Sequence, residues 1–262
     1  MPREVQGIKM LYIKTLETIR AMVQSGRLLY NTLELLKSEI RPGITTKELN
    51  KIAHRYIISN GADPTFLGYG GFPGSICTSK NEVVIHGIPS SECVLEEGDI
   101  ISLDVGVHYK GVHTDAARTF AVGNISKEKQ QLIDVCRGSF YAGMKQAVKG
   151  NRISDIGHAV EEYVKPYGYG IVRDFTGHGV GIELHESPSI PNYGKPGHGL
   201  RICDGMTLAI EPMINLGRDE VRILSDDWTT VTVDGKASAH YENTIAIVDG
   251  GPVILTAPDV SV

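Results

Sequence analysis

The first sixty residues carry the hydrophobic spacing of two amphipathic helices. Apolar side chains recur at steps of three and four over 19–40, and Pro42-Gly43 ends the run. A second pattern of this kind covers 49–57, and Thr45 and Glu48 precede it at the spacing of a capping box. The chain is therefore predicted to begin with two helices.

Later segments are apolar without helical spacing and predict β-strands. They read VVIHGI at 83–88, IISLDVGV at 100–107 and TLAIEPMI at 207–214. Two further runs flank Asp234-Gly235, a dipeptide that favours a β-hairpin. Helices and strands together predict an α+β fold.

The helix and strand patterns recur after 107 residues. The segment GDIISLD at 98–104 overlays GMTLAIE at 205–211, and the second helix pattern recurs at the same offset. The matched helix positions are Gly43, Glu48, Leu49, Tyr56, Ile57 and Gly61 with Gly150, Asp155, Ile156, Tyr163, Val164 and Gly168. Because no Ser/Pro-rich linker occurs, we predict one catalytic domain over 1–262, with pseudo-symmetric halves at roughly 15–123 and 124–256.

Two acidic residues lie in adjacent predicted strands. Asp104 stands in IISLDVGV and Asp115 in VHTDAARTF, on either side of a turn. A turn at Tyr109-Lys110 would place the two carboxylates directly opposite each other, and a shift of one residue would keep them neighbours. Without a cation between them, two carboxylates in an apolar hairpin would resist ionisation. The alternative is a hairpin whose polar face is exposed to solvent.

Two further carboxylates favour a metal site. Glu211 ends the apolar run LAIE, and Glu242 lies in AHYENTIAIV. Four carboxylates carry a charge that two divalent cations would balance, as in two-metal hydrolytic sites. Oxygen-rich ligation disfavours structural zinc and favours Mn, Fe or Co.

Three of the nine histidines have a sequence context that suggests a site. His178 is flanked by glycines that allow close backbone approach, His185 follows seven residues later, and His86 lies in VVIHGIP. His240 shares strand parity with Glu242, which makes it a candidate to support a ligand without binding the metal.

Composition excludes several other classes of protein. The chain has 262 residues, a net charge of -5 and no run of Lys or Arg, which argues against a dedicated nucleic-acid binder. Its four cysteines form no C-x-x-C pair, and no apolar stretch reaches the ~18 residues of a membrane span. We expect a cytoplasmic protein with reduced thiols.

Five segments together resemble the methionine aminopeptidases of the short, bacterial (type I) form. They are LGYGGFPGSICTSKNEVVIHGIP, GDIISLDVGVHYKGVHTDAARTF, TGHGVGIELHESPSIPNYG, LAIEPMI and AHYENTIAIV, and the resemblance runs from about Ile13 to about Thr256. It implies the duplicated pita-bread fold, an antiparallel sheet with helices packed on its outer face around a dinuclear metal site. The absence of a long insertion or N-terminal extension favours type I over type II.

The resemblance also implies a set of metal ligands. Asp104 would chelate one metal, Asp115 and Glu242 would bridge both, and His178 and Glu211 would complete the second site. The two divalent ions would be Co, Mn or Fe(II), with Zn and Ni as alternatives.

Catalytic roles are implied in the same way. A hydroxide between the metals would attack the carbonyl of the N-terminal methionine. Glu211 would accept a proton, His185 would donate to the developing oxyanion, and His86 would contact the scissile amide nitrogen. A methionine pocket is implied at Tyr69, Phe72, Cys77, Leu184 and Trp228. Phe72 and Leu184 depart from the Tyr and Phe found at these positions in some relatives, which leaves the pocket size open.

The implied substrates are N-termini of nascent polypeptides and peptides with a small second residue, with transient ribosome contact and a monomeric enzyme. Nucleic acid and membrane are not expected as partners. One alternative is a proline-specific peptidase of the same fold, either aminopeptidase P or prolidase. Another is a non-catalytic relative that binds peptides or ribosomes, although such a protein would be expected to have lost ligands.

Overall fold

The computed structural model describes residues 11–262, and residues 1–10 of the predicted domain lie outside the described part. The α-helices are α1 (Leu16–Glu39), α2 (Thr46–Ser59), α3 (Lys127–Met144) and α4 (Ile153–Val164). Short 3-10 helices lie at Tyr69–Gly71 and Lys165–Tyr167. Within 11–262, none of the helices is both long enough and apolar enough to cross a bilayer.

Fifteen strands accompany the helices over the same residues. They are β1 (Asp63–Pro64), β2 (Cys77–Lys80), β3 (Val83–Ile85), β4 (Ile100–Tyr109), β5 (Val112–Ala121), β6 (Gly170–Ile171), β7 (Gly177–Gly179), β8 (Glu186–Ile190), β9 (Thr207–Ile210), β10 (Met213–Asn215), β11 (Val221–Ile223), β12 (Thr230–Thr232), β13 (Ser238–His240), β14 (Asn243–Val248) and β15 (Gly251–Ile254). All of the paired strands run antiparallel. The predicted α+β class is confirmed.

The two predicted N-terminal helices are present and begin at side-chain caps. Thr15 Oγ1 accepts the Thr18 amide at 3.2 Å at the start of α1. Thr45 and Glu48 form the predicted capping box at α2, because each side chain accepts the other residue's backbone amide. Such a cap contributes about 1 kcal/mol.

Two larger sheets form the centre of the molecule. In one, β4 lies between β1 and β2 on one side and β5 on the other, and the second has the order β15-β14-β9-β7-β8. Two small sheets have the orders β13-β10-β6 and β11-β12-β3. The hairpin expected at Asp234-Gly235 is wrong, because β12 and β13 belong to different sheets. The Asp234 carboxylate instead accepts the amides of Arg218 and Lys236, and the chain does not form a hairpin here.

The β4–β5 hairpin differs from the first expectation by one residue. Lys110 and Gly111 form the turn with φ of 52° and 78°, as a two-residue hairpin turn of type I′ requires. Asp104 therefore pairs with Ala117, and Asp115 pairs with Gly106. Of the two registers that the sequence left open, the structure has the shifted one, in which the two carboxylates are diagonal neighbours on one face.

Alternation along β4 separates a helix-facing side from a polar side. Odd-numbered residues from Ile101 to Val107 pack with Leu36 and Leu49 in one apolar cluster beneath α1 and α2. The even-numbered Asp104 therefore points to the opposite face. A second cluster joins α3 and α4 to β9 and β14 through residues such as Phe140 and Leu208. Each helix pair covers the apolar face of one sheet. The opposite, polar faces of the two sheets are therefore available to form the site.

The internal repeat is visible in the backbone hydrogen bonds. Gly43 donates to the Leu95 carbonyl at 2.7 Å, and Gly150 donates to Ile202 at 3.0 Å, which is the same bond 107 residues later. The isolated bridge between Thr45 and Val94 likewise recurs between Arg152 and Arg201. The polar faces of the two halves meet where the Glu242 amide donates to Ala117 at 2.9 Å. The extent of the domain and of its halves stays a prediction.

Candidate active site

The structure brings the predicted metal ligands into one buried cluster. Asp104 and Asp115 come from β4 and β5, Glu211 directly follows β9, and Glu242 directly precedes β14. Asp115, His178 and Glu242 each offer an atom within 4.8 Å of the other two. Asp104 lies close enough to Asp115 for its charge to act on the pKa of the Asp115 carboxyl group.

Several atoms of this cluster lack a hydrogen-bond partner among residues 11–262. They are Asp104 Oδ1, Asp115 Oδ1 and Glu242 Oε1, all fully buried. An unsatisfied buried polar group costs about 1–3 kcal/mol, and more if it is charged. Clustered carboxylate oxygens fit divalent cations, and a cation bound to them would remove the penalty.

Burial and mutual repulsion raise the pKa values of these carboxyl groups. Burial raises the pKa of Asp104 to about 7. Burial, followed by the charges of Glu242 and Asp104, raises the pKa of Asp115 well above its usual range. Burial and neighbouring carboxylates also raise the pKa values of Glu211 and Glu242. The cluster therefore resists full ionisation until cations compensate its charge.

His178 is held in one tautomer by its own strand. Its Nδ1 donates to the Gly179 carbonyl at 2.9 Å, so the lone pair is on Nε2, which lies 3.4 Å from Glu211 Oε1. A Cβ on Gly177 or Gly179 would lie 2.3 Å from a backbone oxygen of a neighbouring strand. The flanking glycines thus provide the backbone clearance expected from the sequence and present His178 Nε2 to the cluster.

His240 is the residue for which the sequence signal was weakest. Its Nε2 lies 3.9 Å from Glu211 Oε2 and 3.8 Å from Glu242 Oε2, and it has no hydrogen-bond partner in the described part of the chain. Glu211, His240 and Glu242 form a second group of potential ligands. Burial lowers the pKa of His240 to about 3, so its imidazole is neutral. Strand parity with Glu242 was the only available signal.

His185 lies beside His178 and contacts Tyr69. The two histidine rings are 4.3 Å apart between centroids. His185 Nδ1 lies 2.7 Å from the Tyr69 hydroxyl. This contact orients the imidazole at the edge of the cluster.

His86 directly follows β3 in a left-handed conformation with φ of 58°, which ends that strand earlier than the sequence suggested. Its ring meets Phe175 edge-on at 5.7 Å and Trp228 at 6.2 Å. Burial lowers the pKa of His86 to about 4, so the ring is neutral. Phe175 had no signal in the sequence beyond its hydrophobicity.

Residues of the predicted methionine pocket form an apolar cluster beside the acidic cluster, and this apolar cluster is called the pocket below. Phe72, Cys77 and Leu184 pack together, and Phe72 meets the Trp228 ring at 5.2 Å. Tyr69 is 42% exposed and contacts His185 instead, so it lies at the rim. The same apolar cluster contains Phe66 and Ile88, which sequence reasoning missed.

Cys77 connects the pocket to the acidic cluster because it pairs with Asp104 in the β2–β4 register. Burial, together with the charges of Asp104, Asp115 and Glu242, raises the pKa of the Cys77 thiol well above its usual range. A thiol that stays protonated is a poor nucleophile. Cys77 therefore lines the pocket and does not provide a cysteine nucleophile.

Comparison with known families agrees with a metallohydrolase. Metallopeptidase family M24 matches residues 20–249 of this chain. The chain therefore belongs to metallopeptidase family M24.

Within that family, the most similar sequences share one name. A methionine aminopeptidase from Clostridium acetobutylicum is 53% identical over 247 residues, which is 94% of this chain and 99% of the relative. The crystal structure of a methionine aminopeptidase from Thermotoga maritima has a TM-score of 0.92 at 42% identity and covers 94% of this chain and 99% of its own. The chain belongs with the methionine aminopeptidases, and the predicted pita-bread fold is confirmed.

The proline-specific alternative is more distant. Prolidase from Pyrococcus furiosus matches with a TM-score of 0.76 and 22% identity, and the match covers 95% of this chain but 66% of the prolidase. At that identity the likeness shows a shared fold and no more. The comparisons therefore favour the methionine aminopeptidases over the prolidases.

Proposed function

We propose that this protein removes the N-terminal methionine from peptides and nascent polypeptides, with preference for a small second residue. The observation that carries the proposal is an apolar pocket directly beside a cluster of buried carboxylates, joined by the pairing of Cys77 with Asp104. The apolar side of the site suits the unbranched thioether side chain of methionine, and the acidic side suits metal-assisted hydrolysis.

The cluster would hold two divalent metal ions, and Co, Mn and Fe(II) are the ions we propose, ahead of Zn and Ni. Asp104 would bind one ion, Asp115 and Glu242 would bridge both, and His178 and Glu211 would complete the second position. Unpartnered buried oxygens on three of the carboxylates support this assignment. Bound there, the ions supply Lewis acidity and lower the pKa of the attacking water.

Protein side chains around the ions would then move protons and stabilise charge. Glu211 would accept the proton of the attacking water, because its carboxylate lies within the cluster that would hold the ions. His185 donates from Nε2 to the oxyanion, while Tyr69 donates its hydroxyl hydrogen to Nδ1 and keeps that tautomer. His86, whose ring meets Phe175 and Trp228 edge-on, would contact the scissile amide nitrogen.

The pocket would select the first residue of the substrate. Phe72, Cys77, Leu184 and Trp228 surround the thioether, and Tyr69 closes the rim. Contacts between sulfur and aromatic rings contribute ~0.3–1.5 kcal/mol each. The pocket thus favours methionine over shorter or polar first residues.

The cellular setting follows from the substrate. We propose that the protein acts in the cytoplasm as a monomer that meets nascent chains, with transient contact to the ribosome. Neither nucleic acid nor membrane is a partner in this proposal. The net charge of -5 supports the absence of a nucleic-acid substrate.

A two-substrate assay tests the proposal against its alternatives. Protein loaded anaerobically with Mn(II), Co(II) or Fe(II) should release methionine from Met-Ala-Ser and should leave Xaa-Pro peptides intact. Release of the residue before proline would favour a proline peptidase instead. No release from either peptide with any of the three metals would support a non-catalytic binding protein.

A further inference from the structure

A buried ion pair lies outside the acidic cluster and has no role in the chemistry above. Lys14 Nζ bonds to Glu186 Oε2, and the two side chains are 2% and 0% exposed. Lys149 and Asp204 provide a contrast, because their side chains are 61% and 41% exposed. Two buried charges are seldom a net gain in stability, since both lose their hydration. Burial lowers the pKa of Lys14 even though Glu186 opposes that shift.

The second carboxylate oxygen of Glu186 closes a turn. Glu186 Oε1 accepts the backbone amides of Ile182 at 2.7 Å and Glu183 at 3.1 Å. These residues belong to the connection from β7 to β8. Residues 180–185 and the first residue of β8, Glu186, are together called the β7–β8 turn below. The side chain at the end of this turn therefore holds the backbone at its beginning.

Lys14 ties this turn to the rest of the molecule. Its backbone amide donates to Gly205 at 2.8 Å, and Leu11 forms an isolated bridge with Ser187. A Cβ on Gly181 would lie 2.6 Å from Lys14 Cε, so the lysine stem fills the space beside the turn. The segment 11–14 leads directly into α1, which packs against the β4–β5 hairpin.

Two residues of the β7–β8 turn belong to the proposed substrate site. Leu184 packs in the apolar pocket, and His185 lies 4.3 Å from the His178 ring with its Nδ1 against Tyr69. A shift of this turn would therefore displace both side chains. A displacement of about 1 Å at a catalytic group costs up to about 100-fold in rate.

We infer that Lys14 and Glu186 are positioning residues, which hold the β7–β8 turn so that Leu184 and His185 face the scissile bond. This inference rests on the proposed function. Neither residue touches the reacting atoms, because Lys14 acts through Glu186 and Glu186 acts through the backbone of Ile182 and Glu183.

The first test removes both charges together, so that no unpaired charge stays buried. Lys14→Met/Glu186→Met should lower kcat for Met-Ala-Ser by about 10- to 100-fold. Metal affinity by calorimetry should match that of the parent, and the variant should stay folded at the assay temperature. The matched control Lys149→Met/Asp204→Met should retain the parental kcat. Equal kcat in the two double variants would overturn the inference.

A conservative variant separates positioning from general damage. Lys14→Met/Glu186→Gln also lacks both charges, but its amide oxygen can still accept the Ile182 and Glu183 amides. It should recover part of the kcat lost in Lys14→Met/Glu186→Met, and the deficit that remains against the parent measures the role of Lys14. Full recovery would overturn the part of the inference that concerns Lys14. Equal losses in the Gln and Met variants would show that the acceptor to the turn has no role.

A double-mutant cycle asks whether the effect passes through His185. In a His185→Ala background, Lys14→Met/Glu186→Met should lower kcat by less than about threefold, because the group being positioned is gone. A drop as large as in the parent would mean that the pair acts elsewhere, against the inference.

One measurement needs no variant. In the unaltered protein, hydrogen exchange read by mass spectrometry should show the amides of Ile182 and Glu183 protected like those of β7. Complete exchange at the earliest time would overturn the inference even if the Met/Met variant failed to fold. An unaltered protein that does not release methionine refutes the proposed function, whereas an active protein with unchanged variants refutes the positioning role alone.

Discussion

The acidic cluster and the apolar pocket lie side by side but are built in opposite ways. Three of the cluster carboxylates have buried oxygens without partners, and burial raises the pKa values of all four acidic groups. The pocket residues, by contrast, are satisfied by contact with one another. The cluster is therefore incomplete without cations, whereas the pocket is formed by the chain itself. Changes to the cluster should affect chemistry, and changes to the pocket should affect binding.

Metal removal should have the largest effect. A chelator should abolish methionine release and lower the unfolding temperature, because the buried carboxylates again repel one another. Activity and calorimetry before and after Mn(II) is restored measure both changes. Full turnover in protein with no detectable metal would contradict the proposed cluster.

Asp115→Asn should come next, with a loss of at least about 1000-fold in kcat/KM. This exceeds the 10- to 100-fold cost typical of residues that only support a ligand, because a bridging carboxylate would be lost. The metal-free variant should unfold no earlier than the metal-free parent, since repulsion from Glu242 and Asp104 is relieved. Steady-state kinetics and calorimetry provide the readouts.

The exposed substitution Asp134→Asn on α3 is the matched control, and it should leave kinetics and metal affinity unchanged. Wild-type metal affinity in Asp115→Asn would refute the bridging role.

Leu184→Ala tests the pocket and should raise KM for Met-Ala-Ser by about tenfold. The enlarged pocket loses contacts with the substrate side chain, and apolar contacts of this size contribute ~1–3 kcal/mol. Metal content should stay at the parental level. A fall in kcat with unchanged KM would contradict the assignment of substrate binding to the pocket and of chemistry to the cluster. The exposed substitution Leu67→Ala is the control.

Cys77→Ala should have the smallest effect, less than about threefold in kcat. Its buried, protonated thiol lines the pocket and takes no part in bond cleavage. Kinetics and the rate of alkylation by iodoacetamide both report on this, and alkylation of the parent should be slow. Loss of turnover in Cys77→Ala with normal metal content would restore the cysteine-nucleophile alternative.

The elements that the sequence predicted well are those with local causes. The capping box of Thr45 and Glu48 acts within one helical turn, and the repeat is visible because equivalent glycines recur at a constant offset. The sequence left two registers open for the β4–β5 hairpin, because both Tyr109-Lys110 and Lys110-Gly111 are plausible two-residue turns, and the structure has the second. The hairpin at Asp234-Gly235 failed because the strands beside it pair in different sheets.

The candidate site shows the same division. Asp104, Glu211 and Glu242 were recognisable because each is a carboxylate in an apolar strand pattern. Phe175 was not, because phenylalanine is common in ordinary cores, and His240 was marked only by its strand parity with Glu242. Their importance depends on which strands and loops meet, and no local pattern encodes that.

By itself, the amino-acid sequence determined the two N-terminal helices, the repeat at an offset of 107 residues and the set of chemically unusual residues, because these depend on spacing along one chain. Only the tertiary structure decided that Asp115 lies diagonal to Asp104, that His240 faces two carboxylates, and that Lys14 reaches Glu186. These contacts join residues far apart in sequence. Their geometry depends on strand register and sheet pairing, where a shift of one residue changes every neighbour.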